Sequence, residues 1–167
     1  MTATNHAITG ALIALAVKKP ELALPLALVS HFALDLIPHY NPPGSTNDKF
    51  ISYSTSWSKK MKDPGFRIIF PIDMILFVGI LIAMPLITPS SVSPFTVLIS
   101  ALLGASPDFF GGIKFLLDKV FHIGTHGKDK DPFTRFHVRI QWMERPWGIY
   151  VELVWLALAV FVISRLI

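Results

Sequence analysis

Residues 68–87 read Ile-Ile-Phe-Pro-Ile-Asp-Met-Ile-Leu-Phe-Val-Gly-Ile-Leu-Ile-Ala-Met-Pro-Leu-Ile. A helix of this length rises about 30 Å, the thickness of a bilayer's hydrocarbon layer. The run carries a single ionisable side chain, Asp73. It therefore reads as a transmembrane helix, interrupted by Pro71 and Pro85. Downstream, residues 88–94 form a short uncharged turn, and residues 95–113 are a second span containing Gly104 and Pro107. The last apolar core is residues 150–164, closed by Arg165. Upstream, the apolar stretch 7–17 is broken by Lys18, Lys19, Pro20 and Glu21 from a further run, 22–37. Pro25 fits the first turn of that helix, and Pro38 disfavours helical geometry at Ile37 and so ends it. The pair reads as a tight helical hairpin, either spanning or re-entrant.

Composition agrees with this organisation. The chain is 52% hydrophobic and 16% charged, with a mean hydropathy of +0.55. Soluble domains carry about 25% charge, so there is too little polar surface here to clothe a soluble fold. The expected class is all-α: one membrane-embedded domain over residues 1–167, with four to five hydrophobic helices and a short amphipathic cytoplasmic helix. Residues 1–5 have no positive charge cluster, and no small-residue cleavage site follows 7–17, so a cleavable signal peptide is not expected. With no cysteine, disulfides and thiolate metal ligands are excluded.

Charge sets the expected topology. Lys49, Lys59, Lys60, Lys62 and Arg67 flank or fill the loop 40–66. Lys114, Lys119, Lys128, Lys130, Arg135, Arg139 and Arg145 fill 114–145, and the turn 88–94 has no charge. The positive-inside rule places both long loops in the cytoplasm of a protein of the cell (inner) membrane. Lys18 and Lys19 would then lie outside, against the rule, which keeps the re-entrant hairpin open. The net charge of +4 fits basic loops beside an anionic leaflet, and no nucleic-acid motif accompanies it.

Each ionisable side chain at membrane depth costs at least about 2.5–3.5 kcal/mol on insertion scales. His6, His31, Asp35, Asp73, Asp108 and Glu152 all fall toward the cytoplasmic end of their helices under this topology. His31 and Asp35 are four apart and share a helical face; His39 extends the row beyond Pro38. Pro107 and Pro71 lie beside Asp108 and Asp73, and helix-breaking residues at that depth are tolerated where backbone lines a cavity. Imidazole and carboxylate without thiolate suit zinc or another divalent transition metal, with manganese and iron as alternatives. Taken singly, each group also fits a plainer role: a buried hydrogen bond, a helix cap or a snorkelling side chain. His122 and His126 are four apart, but glycines interrupt them. His137 lies on an amphipathic stretch with Phe136, Ile140 and Met143 on one face, flanked by Arg135 and Arg139. These arginines suit a phosphate.

Three stretches, Thr4-Asn5-His6-Ala7-Ile8-Thr9-Gly10, Ser30-His31-Phe32-Ala33-Leu34-Asp35-Leu36-Ile37-Pro38-His39 and Gly104-Ala105-Ser106-Pro107-Asp108, resemble the motifs of small membrane-bound metal-dependent hydrolases. These are similar in motif to the zinc-dependent phospholipase C superfamily. The order of the Pro-Asp and His-x-x-x-Asp motifs is reversed relative to those soluble enzymes, and this chain is far more hydrophobic. The resemblance implies metal binding at His6, His31, Asp35 and Asp108, and also at His39 and His137. Asp73 is expected as a further ligand or as an orienting partner. The expected function is metal-dependent hydrolysis of a phosphoester in a lipid or polyprenyl substrate near the cytoplasmic boundary, with His137 or Glu152 handling protons and Arg135 and Arg139 neutralising phosphate. A metal-ion or proton transporter, and a structural protein whose polar groups fix helix packing, are the alternatives.

Overall fold

The computed structural model describes residues 1–41, 60–121 and 132–167. The fold is all-helical: α1 (Ala3–Val17), α2 (Pro20–Asp35), α3 (Pro64–Ile87), α4 (Pro94–Phe121), α5 (Pro132–Ile140) and α6 (Gly148–Leu166). Two two-residue strands, β1 (His39–Tyr40) and β2 (Glu144–Arg145), pair in parallel with His39 opposite Glu144.

Prolines and caps set the helix limits. Pro20 and Pro64 occupy the first turns of α2 and α3, where a missing N–H costs nothing. Asp63 caps α3 by accepting from the Phe66 N–H at 2.8 Å. Lys18 ends α1 in the left-handed region (φ 61°), its N–H bonding the Ala14 carbonyl at 3.0 Å. Two expectations change. The first helix starts at Ala3 rather than residue 7, because its polar first turn finds buried partners. Pro20, not Pro25, opens α2, and Pro25 lies inside the helix. In α4, Pro107 cannot donate to the Leu103 carbonyl, and the Ser106 hydroxyl supplies that bond at 3.0 Å.

Among the described residues two helices, α3 and α6, are long and apolar enough to cross a membrane, and only 17% of each apolar window is buried. A soluble core helix would be mostly covered; here Ile75 is 72% and Leu86 79% exposed. By contrast α1 is buried along nearly its whole length and touches α2, α3, α4 and α6. Its close neighbour is α4. A Cβ on Gly10 would overlap the Ser100 carbonyl, and one on Gly104 would overlap the His6 carbonyl. Ala7, Ala11, Ala14, Ala101 and Ala105 are fully buried around this contact. Small residues thus bring the α1 and α4 backbones together, the usual means of helix association where water supplies no driving force. That approach puts His6 beside the middle of α4, between Gly104 and Asp108.

Candidate metal centre

Four helices each aim one or two polar side chains at a common point. From α2, His31 and Asp35 stand one turn apart with Nε2 and Oδ2 separated by 3.2 Å. From α5, His137 brings its Nε2 to 2.9 Å from Asp35 Oδ2 and 3.0 Å from His31 Nε2. From α4, Asp108 Oδ1 lies 3.8 Å from His31 Nε2 and 3.6 Å from His137 Nε2. His31, Asp35, Asp108 and His137 form a buried group able to hold one metal ion, each offering a ligand atom within 4.8 Å of the others. Two ligands held about 2.0–2.2 Å from one ion stand roughly 3–3.7 Å apart, close to the separations found here.

The protons point the same way. His31 Nδ1 is 2.8 Å from the Gly104 carbonyl oxygen, which can only accept, so Nδ1 carries the hydrogen. In the neutral imidazole the Nε2 lone pair then faces the centre. A backbone carbonyl fixing the tautomer of a ligand histidine is the arrangement that metal sites use. Facing that lone pair are two carboxylates and the His137 Nε2, which in its Nδ1–H tautomer is a further acceptor, a donor set that a cation would satisfy.

The far side of the two carboxylates is occupied by α1. His6 is fully buried and stacks on His31 with centroids 3.9 Å apart. Its Nε2 lies 3.2 Å from Asp35 Oδ1 and 3.8 Å from Asp108 Oδ2, and neither ring nitrogen has a hydrogen-bond partner. Asp35 and Asp108 therefore each turn one oxygen toward the His31–His137 pair and the other toward His6. The Met1 ammonium also stands 2.7 Å from Asp35 Oδ1. Gln141 donates to Asp35 Oδ2 at 3.2 Å. Asp35 and the three imidazoles are closed from solvent, whereas 30% of the Asp108 side chain is exposed. The centre opens at Asp108. Phe32, Phe133 and Phe136 pack around His137 and seat α5 on α2.

No family model, curated protein or solved structure matches the chain. The resemblance in its three motifs therefore stands on those residues alone.

The remaining expected site residues lie elsewhere. The Asp73 carboxylate accepts from the N–H groups of Ala3 (2.9 Å) and Thr4 (3.0 Å). It satisfies donors that the first turn of α1 leaves unpaired, so it positions the helix bearing His6 and does not face the ion-binding group. Glu152 is used up similarly: Oε2 accepts from Thr2 N–H at 3.1 Å and Oε1 from Tyr40 N–H at 2.8 Å. Its backbone carbonyl accepts from Asn5 Nδ2 at 3.1 Å. Both of its oxygens accept backbone N–H groups, so it anchors the start of α1 to β1. His39 does not join the centre; its Nε2 faces Glu144 Oε1 at 3.7 Å. Burial alone would push the Glu144 carboxyl up, but Lys60 and His39 outweigh it and hold the group below its ordinary value. Arg139 is exposed on α5. The Arg135 side chain, His122 and His126 lie outside the described residues.

Gln141, the Gly104 carbonyl and the Glu144–Asn41–Lys60 group are additional to the sequence reading. Gln141 follows His137 by four, so the i, i+4 rule applied to α5 is the signal that finds it. The others depend on tertiary approach.

Proposed function

We propose that this chain is a membrane-embedded, divalent-metal-dependent hydrolase acting on a phosphoester of an amphiphilic lipid or polyprenyl substrate, as the motif resemblance to metal-dependent hydrolases implies. The observation that carries it is the meeting of three imidazoles and two aspartates from four helices, with the His31 tautomer set to turn a lone pair inward. His31, His137, Asp35 and Asp108 hold the ion. The opposite oxygens of the two carboxylates face His6, so His6 would be a further ligand were a second ion held there. Zinc is the first choice from the donor set, with manganese or iron next. A divalent ion there supplies Lewis acidity and a lowered water pKa.

The protein's own residues do the rest. Asp108, the partly exposed ligand, lies where a phosphoester would enter. Arg139, exposed on the same helix as His137, neutralises phosphate, with Arg135 as its partner. The two long apolar helices support a seat in the cell (inner) membrane as part of a bundle of four to five, and the charge of the long loops favours a centre near the cytoplasmic face. A lipid headgroup arriving from that leaflet reaches Asp108 without leaving the interface. The clustering at one depth disfavours a transporter, which needs polar groups along a path to the other side.

The test is phosphate release from polyprenyl phosphates and phospholipids by protein in nanodiscs loaded with zinc, manganese or iron. Metal-dependent release abolished by Asp108→Asn is expected. Metal-loaded wild type inert toward every lipid phosphoester would overturn the hydrolase reading.

A further inference from the structure

Outside the metal centre, the described residues hold a second buried polar group where β1 meets β2. His39 and Asn41 are 2% and 1% exposed. Two apart on an extended segment, they project to the same side. His39 Nδ1 lies 2.9 Å from the Ile37 carbonyl oxygen, which accepts its hydrogen. The neutral ring therefore presents a lone pair at Nε2, and that atom has no hydrogen-bond partner. Facing it is Glu144 Oε1 at 3.7 Å, too long for a hydrogen bond and about the spacing of two ligands on one ion. Asn41 Nδ2 donates to Glu144 Oε2 at 2.6 Å, which fixes the amide orientation and leaves Asn41 Oδ1 buried with no donor. Two buried acceptors without a donor, His39 Nε2 and Asn41 Oδ1, thus flank a carboxylate whose side chain is 19% exposed. Among the described residues the Lys60 ammonium stands 3.6 Å from Glu144 Oε1, on a flexible stem with 22% of the side chain exposed.

We propose that His39, Asn41 and Glu144 form a second, structural site for a divalent transition-metal ion, separate from the centre on Asp35. The donor set is one imidazole nitrogen, one carboxylate and one amide oxygen, which suits zinc or manganese. In the metal-free state Lys60 supplies the compensating charge and swings outward when an ion enters. The site's position gives it a task. β1 is the chain leaving α2 just after Asp35, and β2 is the chain leaving α5 just after Gln141. They are joined by two residue pairs and by the Asn41 N–H to Arg145 carbonyl bond at 3.2 Å. A Cβ on Gly148 would overlap the His39 backbone, so the start of α6 is seated on the same point. An ion on His39 and Glu144 fastens α2 to α5 and so holds His137 over Asp35. The proposal does not depend on the hydrolase reading.

The experiment is a manganese titration of metal-stripped full-length protein in detergent, counting bound ion by electron paramagnetic resonance. His39→Ala and, as a second variant that keeps the Asn41 hydrogen bond, Glu144→Gln are compared with wild type, Asp35→Asn and Lys60→Gln. Each of the first two variants is expected to bind one equivalent fewer than wild type, and Lys60→Gln to bind the same number more tightly. His39→Ala or Glu144→Gln folded and equal to wild type in stoichiometry would overturn the proposal and leave an ordered water as the occupant. Loss of ion in Asp35→Asn reports on the other centre alone. If only Asp35→Asn matched wild type, the centre would fail while this site stood.

Discussion

Replacing Asp73 by alanine removes the carboxylate that holds the first turn of α1. Two charge-assisted hydrogen bonds are lost, from Ala3 N–H and Thr4 N–H, and both residues are buried, at 6% and 3% exposure. A buried donor left without a partner costs about 1–3 kcal/mol, so the pair costs roughly 2–6 kcal/mol. At about 2–4 °C per kcal/mol for a chain of this size, Tm falls by roughly 4–24 °C. Asp73→Asn keeps one amide oxygen and loses the charge, so its loss is about half as large. Because His6 is one turn further along α1, fraying also loosens its contact with Asp35 and Asp108. Ion affinity then drops by about 10–100-fold, the usual cost of losing an orienting partner, while stoichiometry at saturation is kept. Thermal unfolding in detergent followed by circular dichroism, with a parallel metal titration, measures both quantities. An Asp73→Ala protein with unchanged Tm that binds no ion at saturation would refute this reasoning and make Asp73 a ligand.

The close α1–α4 approach gives a second prediction: Gly104→Ala drives a methyl into the His6 carbonyl and costs about 1–3 kcal/mol or more, with weakened ion binding. Gly79→Ala, in open space on exposed α3, stabilises by about 0.5–1 kcal/mol and serves as its control in the same unfolding assay. Glu152→Gln leaves one acceptor for the Thr2 and Tyr40 N–H groups, so about 1–3 kcal/mol of stability is lost while ion stoichiometry at saturation stays that of wild type.

Much of the centre is legible in the sequence because ionisable residues inside apolar runs are conspicuous. His31 and Asp35 show their shared face through spacing alone, and the shared depth brings in His6 and Asp108. The same logic names Asp73 and Glu152, but depth does not say which atom a carboxylate meets, and both meet backbone N–H groups. A helix end buried in apolar surroundings needs acceptors as much as an ion needs ligands, and sequence reading does not distinguish the two demands. His137 is legible as part of an amphipathic helix, whereas its insertion between His31 and Asp35 depends on Phe133 and Phe136 packing against Phe32. The parallel β1–β2 pair, only two residues long, leaves no periodic pattern to read, so the partners of His39 emerge only from the fold. The helical class is plain from the apolar runs, while the start of α1 at Ala3 lies upstream of the apolar stretch 7–17, because Thr4, Asn5 and His6 find buried partners that spacing does not show.

The central claim is that the cluster on Asp35 binds metal. Its most direct test is elemental analysis of the detergent-purified protein after saturation with zinc, manganese or iron and removal of excess, beside His31→Ala and Asp35→Ala folded to the same helical content. Stoichiometric ion is expected in the wild type and at least one equivalent less in both variants. A wild type that binds no ion, or variants that match it ion for ion, would contradict it and leave the histidines and aspartates as a polar packing network.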